Sequence, residues 1–214
     1  MNTTPDRRAV ILSAVPVSTA MRRYLQPGDR IMACDAGYHN AERLGVRPDW
    51  IVGDFDSAAR PEHQDNLVVL PHVKDDTDTH YAARWLCGQG FRQIVMLGAI
   101  GGARIEHTIA NLHTAVYLAE QGVDVLLADE QSELRILSPD RPMELSRGDW
   151  KYLSLFPLDG PLTGVCLQGV FYPLQDATLR PDYPLGVSNE FTEPTARLSC
   201  TGGHGLVIVT KDDG

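Results

Sequence analysis

Two aspartates one residue apart, Asp54 and Asp56, stand in the run Ile51-Val52-Gly53-Asp54-Phe55-Asp56-Ser57. Two carboxylates about 4 Å apart repel by roughly 1 kcal/mol in water, and by several times more at a lower effective dielectric. A divalent cation removes that cost, so the run reads as a metal-binding loop at the end of a buried strand. In open α/β sheets that strand edge is where ligands bind. Taken alone, the stretch is equally well an Asp-rich turn, because Gly, Asp and Ser dominate turns.

Three more clusters carry possible chemistry. Asp35 ends an apolar run and is followed by small residues that let a ligand or another backbone approach; alone, it reads better as a helix cap. Lys74-Asp75-Asp76-Thr77-Asp78 places one cation and three carboxylates at a helix start. Acidic residues favour that position, and Asp75 would serve as a cap, but capping needs one side chain and not three. Asp75 and Asp78, three apart, share one side of the first turn. Gly98-Ala99-Ile100-Gly101-Gly102 is a glycine-rich turn before another helix. With a helix N-terminus and Arg104 it makes a phosphate cradle. It is neither a Walker A loop nor a GxGxxG dinucleotide turn. At about 100° per residue, Ile105, Ile109, Leu112 and Val116 form one face, expected to pack on the sheet. Arg104, His107 and Asn111 share a different stripe, and Glu106 falls off it.

The elements that would position these residues follow from hydrophobic patterning. Apolar strand runs occupy residues 9–15, 30–34, 50–52, 67–70, 91–97 and 123–128. Helical segments at 18–25 and 38–44, one ending near Gly88, and one at 104–120 fall between them. Such alternation predicts a mostly parallel sheet with helices on both faces. From residue 132 onward short β-branched runs separated by Gly and Pro predict a small antiparallel β domain. The boundary falls at 128–131. All four acidic or glycine-rich clusters then lie at C-terminal ends of parallel strands. Together they read as a cleft for a polyphosphate and Mg²⁺, which takes carboxylate oxygens and leaves room for phosphate and water.

Composition narrows the classes. A net charge of −9 over 214 residues argues against a nucleic-acid binder. No apolar run approaches the roughly 20 residues needed to span a bilayer. Cys34, Cys87, Cys166 and Cys200 are widely spaced, with no CxxC pair. That pattern fits free thiols and a cytoplasmic location.

The motifs Asp35-x-Gly37-x-x-Asn40, Pro48-Asp49-x-x-x-Gly53-Asp54-Phe55-Asp56-Ser57, Lys74-Asp75-x-Thr77-Asp78 and Gly101-Gly102-x-Arg104-x-Glu106-His107-x-x-x-Asn111 occur in one order over the first half of the chain. In this the chain closely resembles the thiamine pyrophosphokinase family, and Ser188-Asn189-Glu190 looks like that family's thiamine-site motif. The resemblance implies an N-terminal three-layer α/β/α domain for ATP and Mg²⁺ (residues 1–129) and a β-sandwich thiamine domain (130–214). It implies a homodimer with shared active sites and transfer of a diphosphate from ATP to the hydroxyl of thiamine, leaving AMP. By position, Asp54, Asp56, Asp75 and Asp78 would be the acidic catalytic set, with Asp54, Asp56 and Asp75 on the metal. Lys74 and Arg104 would contact phosphates. Asp35, Asn40, Ser57, Thr77, Gly101, Gly102, His107 and Asn111 would form the rest of the ATP side, and Ser188 and Asn189 the thiamine side. Two departures stand out. Glu106 occupies a position where the family usually has Asp. No tryptophan follows Trp150 to stack on thiamine, and Phe191 is the aromatic residue nearest the Ser-Asn-Glu motif.

Three rival readings remain open at the level of sequence. One is a related pyrophosphokinase acting on a pterin-like hydroxymethyl heterocycle. Another is a Mg²⁺-dependent phosphatase of the haloacid dehalogenase type using Asp54-Phe55-Asp56 as its DxD motif. The third is a nucleotide sensor without catalysis.

Overall fold

The computed structural model describes residues 7–53, 67–69 and 76–212. The chain divides into two compact units, Met1–Glu130 and Gln131–Gly214.

In the first unit, strands β1 (Arg7–Leu12), β2 (Arg30–Cys34), β3 (Trp50–Gly53), β4 (Leu67–Val69), β5 (Phe91–Leu97) and β6 (Asp124–Ala128) form a parallel sheet. Its order is β6-β5-β1-β2-β3-β4. Ala9, Val10, Ile11 and Leu12 of the central β1 are fully buried, which is why this run is continuously apolar and not alternating. Val10, Leu12, Ala33 and Leu97 pack with Tyr24 of a 3-10 turn (Thr19–Tyr24) and with Ala41 and Leu44 of α1 (Gly37–Leu44). Helices α2 (Asp78–Gly88) and α3 (Ile105–Glu120) pack on each other, α2 against β5 and β1, and α3 against β6.

The first strand was expected to reach residue 15, but β1 ends at Leu12 and the chain leaves the sheet at Ser13. Close packing explains the exit: Gly37, at the start of α1, lies so near that a Cβ there would sit 1.9 Å from the Leu12 carbonyl oxygen. The expected buried face of α3 is also wrong. Ile105 and Ile109 are 63% and 50% exposed, whereas Asn111, Thr114, Ala115 and Leu118 are buried. On the buried face the Thr114 hydroxyl lies 3.0 Å from His80 Nδ1 of α2, so that face meets α2.

The second unit holds eight strands: β7 (Ser132–Leu137), β8 (Met143–Ser146), β9 (Tyr152–Pro157), β10 (Leu162–Gln168), β11 (Leu174–Leu179), β12 (Asn189–Glu190), β13 (Thr195–Ser199) and β14 (Gly205–Thr210). They form antiparallel layers in the orders β12-β9-β14-β7 and β11-β10-β13-β8. Leu153, Leu155, Val207 and Val209 meet Leu162, Val165, Leu167 and Leu198 between the layers, as in a β-sandwich. At its loop end, Asp159 accepts from the His204 backbone N–H at 2.9 Å and lies 2.6 Å from His204 Nδ1. Burial raises the Asp159 pKa, but the His204 hydrogen bonds outweigh it and hold the carboxyl below its usual range. A depressed carboxyl pKa stabilises the fold above the unfolded-state pKa and loses that contribution as pH falls through the folded value. Asp159→Asn is therefore expected to melt slightly lower than wild type at pH 7, by under about 1 kcal/mol for so open a pair. The gap should narrow in thermal melts as pH falls below the usual carboxylate range; a gap that does not change with pH would contradict the assignment.

Candidate active site

A cavity of about 320 Å³ opens at the C-terminal edge of the parallel sheet. The ends of β1, β2 and β5 and the N-termini of α2 and α3 all reach it. Of the residues expected at a phosphate cleft, Asp35, Thr77, Asp78, Gly101, Gly102, Arg104, His107 and Asn111 line it. Ser13, Ala14, Val15, Pro16 and Thr79, among residues that sequence reasoning missed, line it too. A strand that runs into small residues and a proline was the available signal for the first four.

Asp35 follows β2 in the left-handed region, φ 50°, which Asp tolerates better than most residues. It does not cap α1: the cap position is Ala36, with no side-chain hydrogen bond. Its backbone N–H bonds Val52 O of β3 at 2.7 Å. Asn40 is the residue whose place differs most from expectation. It is 1% exposed and does not line the cavity. Its amide donates to Ser13 O and Val15 O, both at 2.8 Å, and accepts from Val17 N at 3.1 Å. An amide spent on three backbone groups holds the wall and is not offered to a ligand.

At the start of α2 the cap is Thr77, whose hydroxyl accepts from His80 N at 3.2 Å. Asp76 is taken by Arg84, 2.6 Å away. Thr79 and Ser13, both buried, bring their hydroxyl oxygens to 3.0 Å. This bond ties the end of β1 to the first turn of α2.

The glycine turn is fastened from inside its own helix. The Gly101 N–H bonds the Thr108 hydroxyl at 3.0 Å, and that hydroxyl donates back to Gly101 O at 3.3 Å. Gly102 has φ 77°, and a Cβ there would sit 3.0 Å from Val15 Cγ2. Asn111 donates to Ala99 O at 2.7 Å. Arg104 is not the first helical residue but the cap of α3, at φ −108° and ψ 81°. A helical projection therefore misplaced it relative to Glu106. Its Nε donates to Glu106 Oε1 at 2.7 Å, and both side chains are exposed. The Arg104 hydrogen bond lowers the Glu106 carboxyl pKa. Glu106 thus gives the guanidinium a partner in the first turn of α3.

Asp54, Asp56, Ser57, Lys74 and Asp75 lie outside the described residues. Strand β3, which delivers the first of them, ends at Gly53 beside β2, with Val52 opposite Cys34. Among the described residues no three His, Cys, Asp or Glu side chains come together to hold a metal. What the described wall does offer, Asp35 and Asp78, is oxygen donors, the ligand type Mg²⁺ takes.

In the second unit Ser188 is left-handed, φ 56°, and its N–H bonds the Ser154 hydroxyl at 3.0 Å. Asn189 is buried, with its amide clamped on the backbone of Tyr172: Nδ2 to Tyr172 O at 2.8 Å, and Oδ1 accepting from Tyr172 N at 3.0 Å. Phe191 is only 7% exposed. The exposed aromatic residues held by this clamp are Phe171 and Tyr172, edge to face at 4.9 Å.

Residues 21–127 match the family model of the thiamin pyrophosphokinase catalytic domain, and residues 142–204 that of the thiamin pyrophosphokinase vitamin B1 binding domain. The fold is similar to a thiamin pyrophosphokinase structure from Geobacillus thermodenitrificans, 25% identical, with a TM-score of 0.84 over 97% of this chain and 99% of that one. It is similar to one from Bacillus subtilis, 22% identical, with a TM-score of 0.87 over 96% and 99%. A thiamin pyrophosphokinase family protein from Enterococcus faecalis is 28% identical, with a TM-score of 0.77 over 96% and 100%. No curated protein sequence matches the chain. The two domain models cover most of the sequence in the order of the two units, and the chain belongs to the thiamin pyrophosphokinase family.

Proposed function

We propose that the cavity at the parallel-sheet edge is the ATP side of a thiamine diphosphokinase. The observation that carries this is the convergence of Asp35, Asp78, Gly101, Gly102 and Arg104 on one cavity within a chain of this family. Phosphoryl-type transfer needs positioning and charge neutralisation more than covalent help. The thiamine hydroxyl oxygen forms a bond to the β-phosphorus of ATP. The bond from that phosphorus to the oxygen bridging the α-phosphate breaks, and AMP leaves. The hydroxyl proton passes to an aspartate, Asp54 or Asp75, as general base. Lys74 and Arg104 neutralise the phosphates, with the α3 N-terminus beside them. Mg²⁺, held by Asp54, Asp56 and Asp75, would supply further charge neutralisation.

The acceptor side belongs to the second unit around Ser188. Asn189 contributes by fixing the turn that presents Phe171 and Tyr172, ring faces of the kind that attract a cationic heterocycle. A homodimer with shared sites fits the exposed Ile105 and Ile109, apolar surface that a partner copy would cover. A cytoplasmic location fits four free cysteines.

The test is AMP formation from ATP with and without thiamine and Mg²⁺. AMP is expected only with all three present. Turnover of a pterin in place of thiamine would move the assignment to a related pyrophosphokinase. Phosphate release independent of thiamine would make the protein a phosphatase.

A further inference from the structure

We infer that Asn40 is the positioning residue that pre-forms the nucleotide-side wall of the cavity, holding three backbone groups of the segment after β1 through one amide. The inference rests on the reading of this cavity as the ATP side. Residues 13–17 leave the sheet and run along the cavity with no ladder partner for most of their backbone. Two backbone bonds tie them to β5, Ser13 N to Leu97 O at 2.8 Å and Val15 N to Gly98 O at 3.0 Å. The groups that remain on the other side, Ser13 O, Val15 O and Val17 N, are the three that Asn40 takes. Buried backbone groups left unpaired are costly, so this amide decides whether the segment can stay where it is.

The wall in turn sets two parts of the site. Ser13 reaches Thr79 on the first turn of α2. The Val15 side chain rests against Gly102 of the glycine turn. Gly98 closes the knot: at φ 67°, a Cβ there would lie 2.4 Å from Val15 O and 2.9 Å from Asn40 Nδ2. Only glycine lets β5 end against this loop. Asn40 therefore acts through the loop on both helix N-termini that face the phosphates, without touching a ligand itself.

The consequence separates the two substrates. Asn40→Asp keeps size and shape but removes both donors and sets a carboxylate against two carbonyls. The variant is expected to bind a non-hydrolysable ATP analogue at least tenfold more weakly and to raise KM for ATP similarly. KM for thiamine should stay within twofold, since a merely destabilised enzyme loses active fraction without such a split. Wild-type affinity for the analogue in a folded Asn40→Asp protein overturns the inference. Failure of the wild type to bind the analogue overturns the ATP-side reading instead. Hydrogen exchange in the unliganded wild type gives a measurement that needs no variant. The Val17 N–H, bonded to Asn40 Oδ1, should exchange as slowly as the amides of β1. Fast exchange at Val17 that slows only when nucleotide is added would mean that the ligand, not Asn40, forms the wall.

Discussion

Asp54→Asn is expected to lower thiamine-dependent AMP formation by about 10²-fold or more, the scale on which removing one charge-stabilising group acts. The melting temperature should stay within a degree or two. Neutralising Asp54 keeps its shape, so the proposed effect lies in metal binding and proton transfer, not in packing. The sequence reason is the pairing with Asp56 directly after the apolar strand. The structural reason is that β3 ends at Gly53 next to β2, whose continuation supplies Asp35 to the cavity. The loss should be accompanied by a higher Mg²⁺ requirement, read from activity against Mg²⁺ concentration. Activity near that of wild type, at ordinary Mg²⁺, would remove Asp54 from the reaction.

The second large effect is on stability. Gly37→Ala places a methyl group 1.9 Å from Leu12 O and 2.7 Å from Leu12 C. Both are backbone atoms of the central strand, so no side chain can rotate away. Either α1 must lift or the end of β1 must shift. Overpacking of this kind costs about 1–3 kcal/mol and occasionally more, which for a chain of this size lowers the melting point by roughly 2–4 °C per kcal/mol. Trp50 and Trp85, edge to face at 4.9 Å in the first unit, report its unfolding by fluorescence. Trp150, in the second unit, adds its own signal, so Trp150→Phe in both backgrounds isolates the first. A midpoint equal to that of the parent would show that the close approach is not maintained in solution.

Much of this molecule is legible without coordinates, for identifiable reasons. Strands β2 and β5 coincide with their expected ranges to the residue, because their buried stretches, 31–34 and 94–97, leave a continuous apolar signal. The end of β1 does not. Ser13, Ala14 and Val15 prolong the apolar run while the backbone turns away, and only Gly37 in another element reveals why. Strands β8, β11 and β12 are short or carry few buried side chains, so patterning marks them weakly. For α3, Ile105 and Ile109 in the first turns are exposed while Asn111, Thr114, Ala115 and Leu118 are buried, a shift of face that hydrophobicity alone does not detect.

The site shows a related division. Asp35, Asp78, Arg104 and His107, which motif spacing groups, line one cavity. Motif spacing fails to separate residues that face a ligand from residues that hold the backbone. Asn40 and Asn189 both occur in motifs, and both spend their amides on main-chain groups. An amide serves either purpose with the same atoms, so residue type carries no distinction. Ser13, Thr79 and Thr108 left no motif at all, because one hydroxyl at one distance is all each supplies.

The placement of β1 has a consequence for how the chain is made. Its central run pairs with β5, so that Arg7 meets Phe91 and Leu12 meets Leu97. Roughly eighty residues must leave the ribosome between the two, which takes several seconds at ordinary rates of synthesis. During that interval one of the most apolar segments of the protein is a nascent strand lacking a neighbour on one side. Closing so long a loop carries an entropic cost before any contact repays it, and parallel pairings of this kind fold slowly. The same strand that leads into the finished site is thus one whose ladder stays open on one side while the chain is being synthesised.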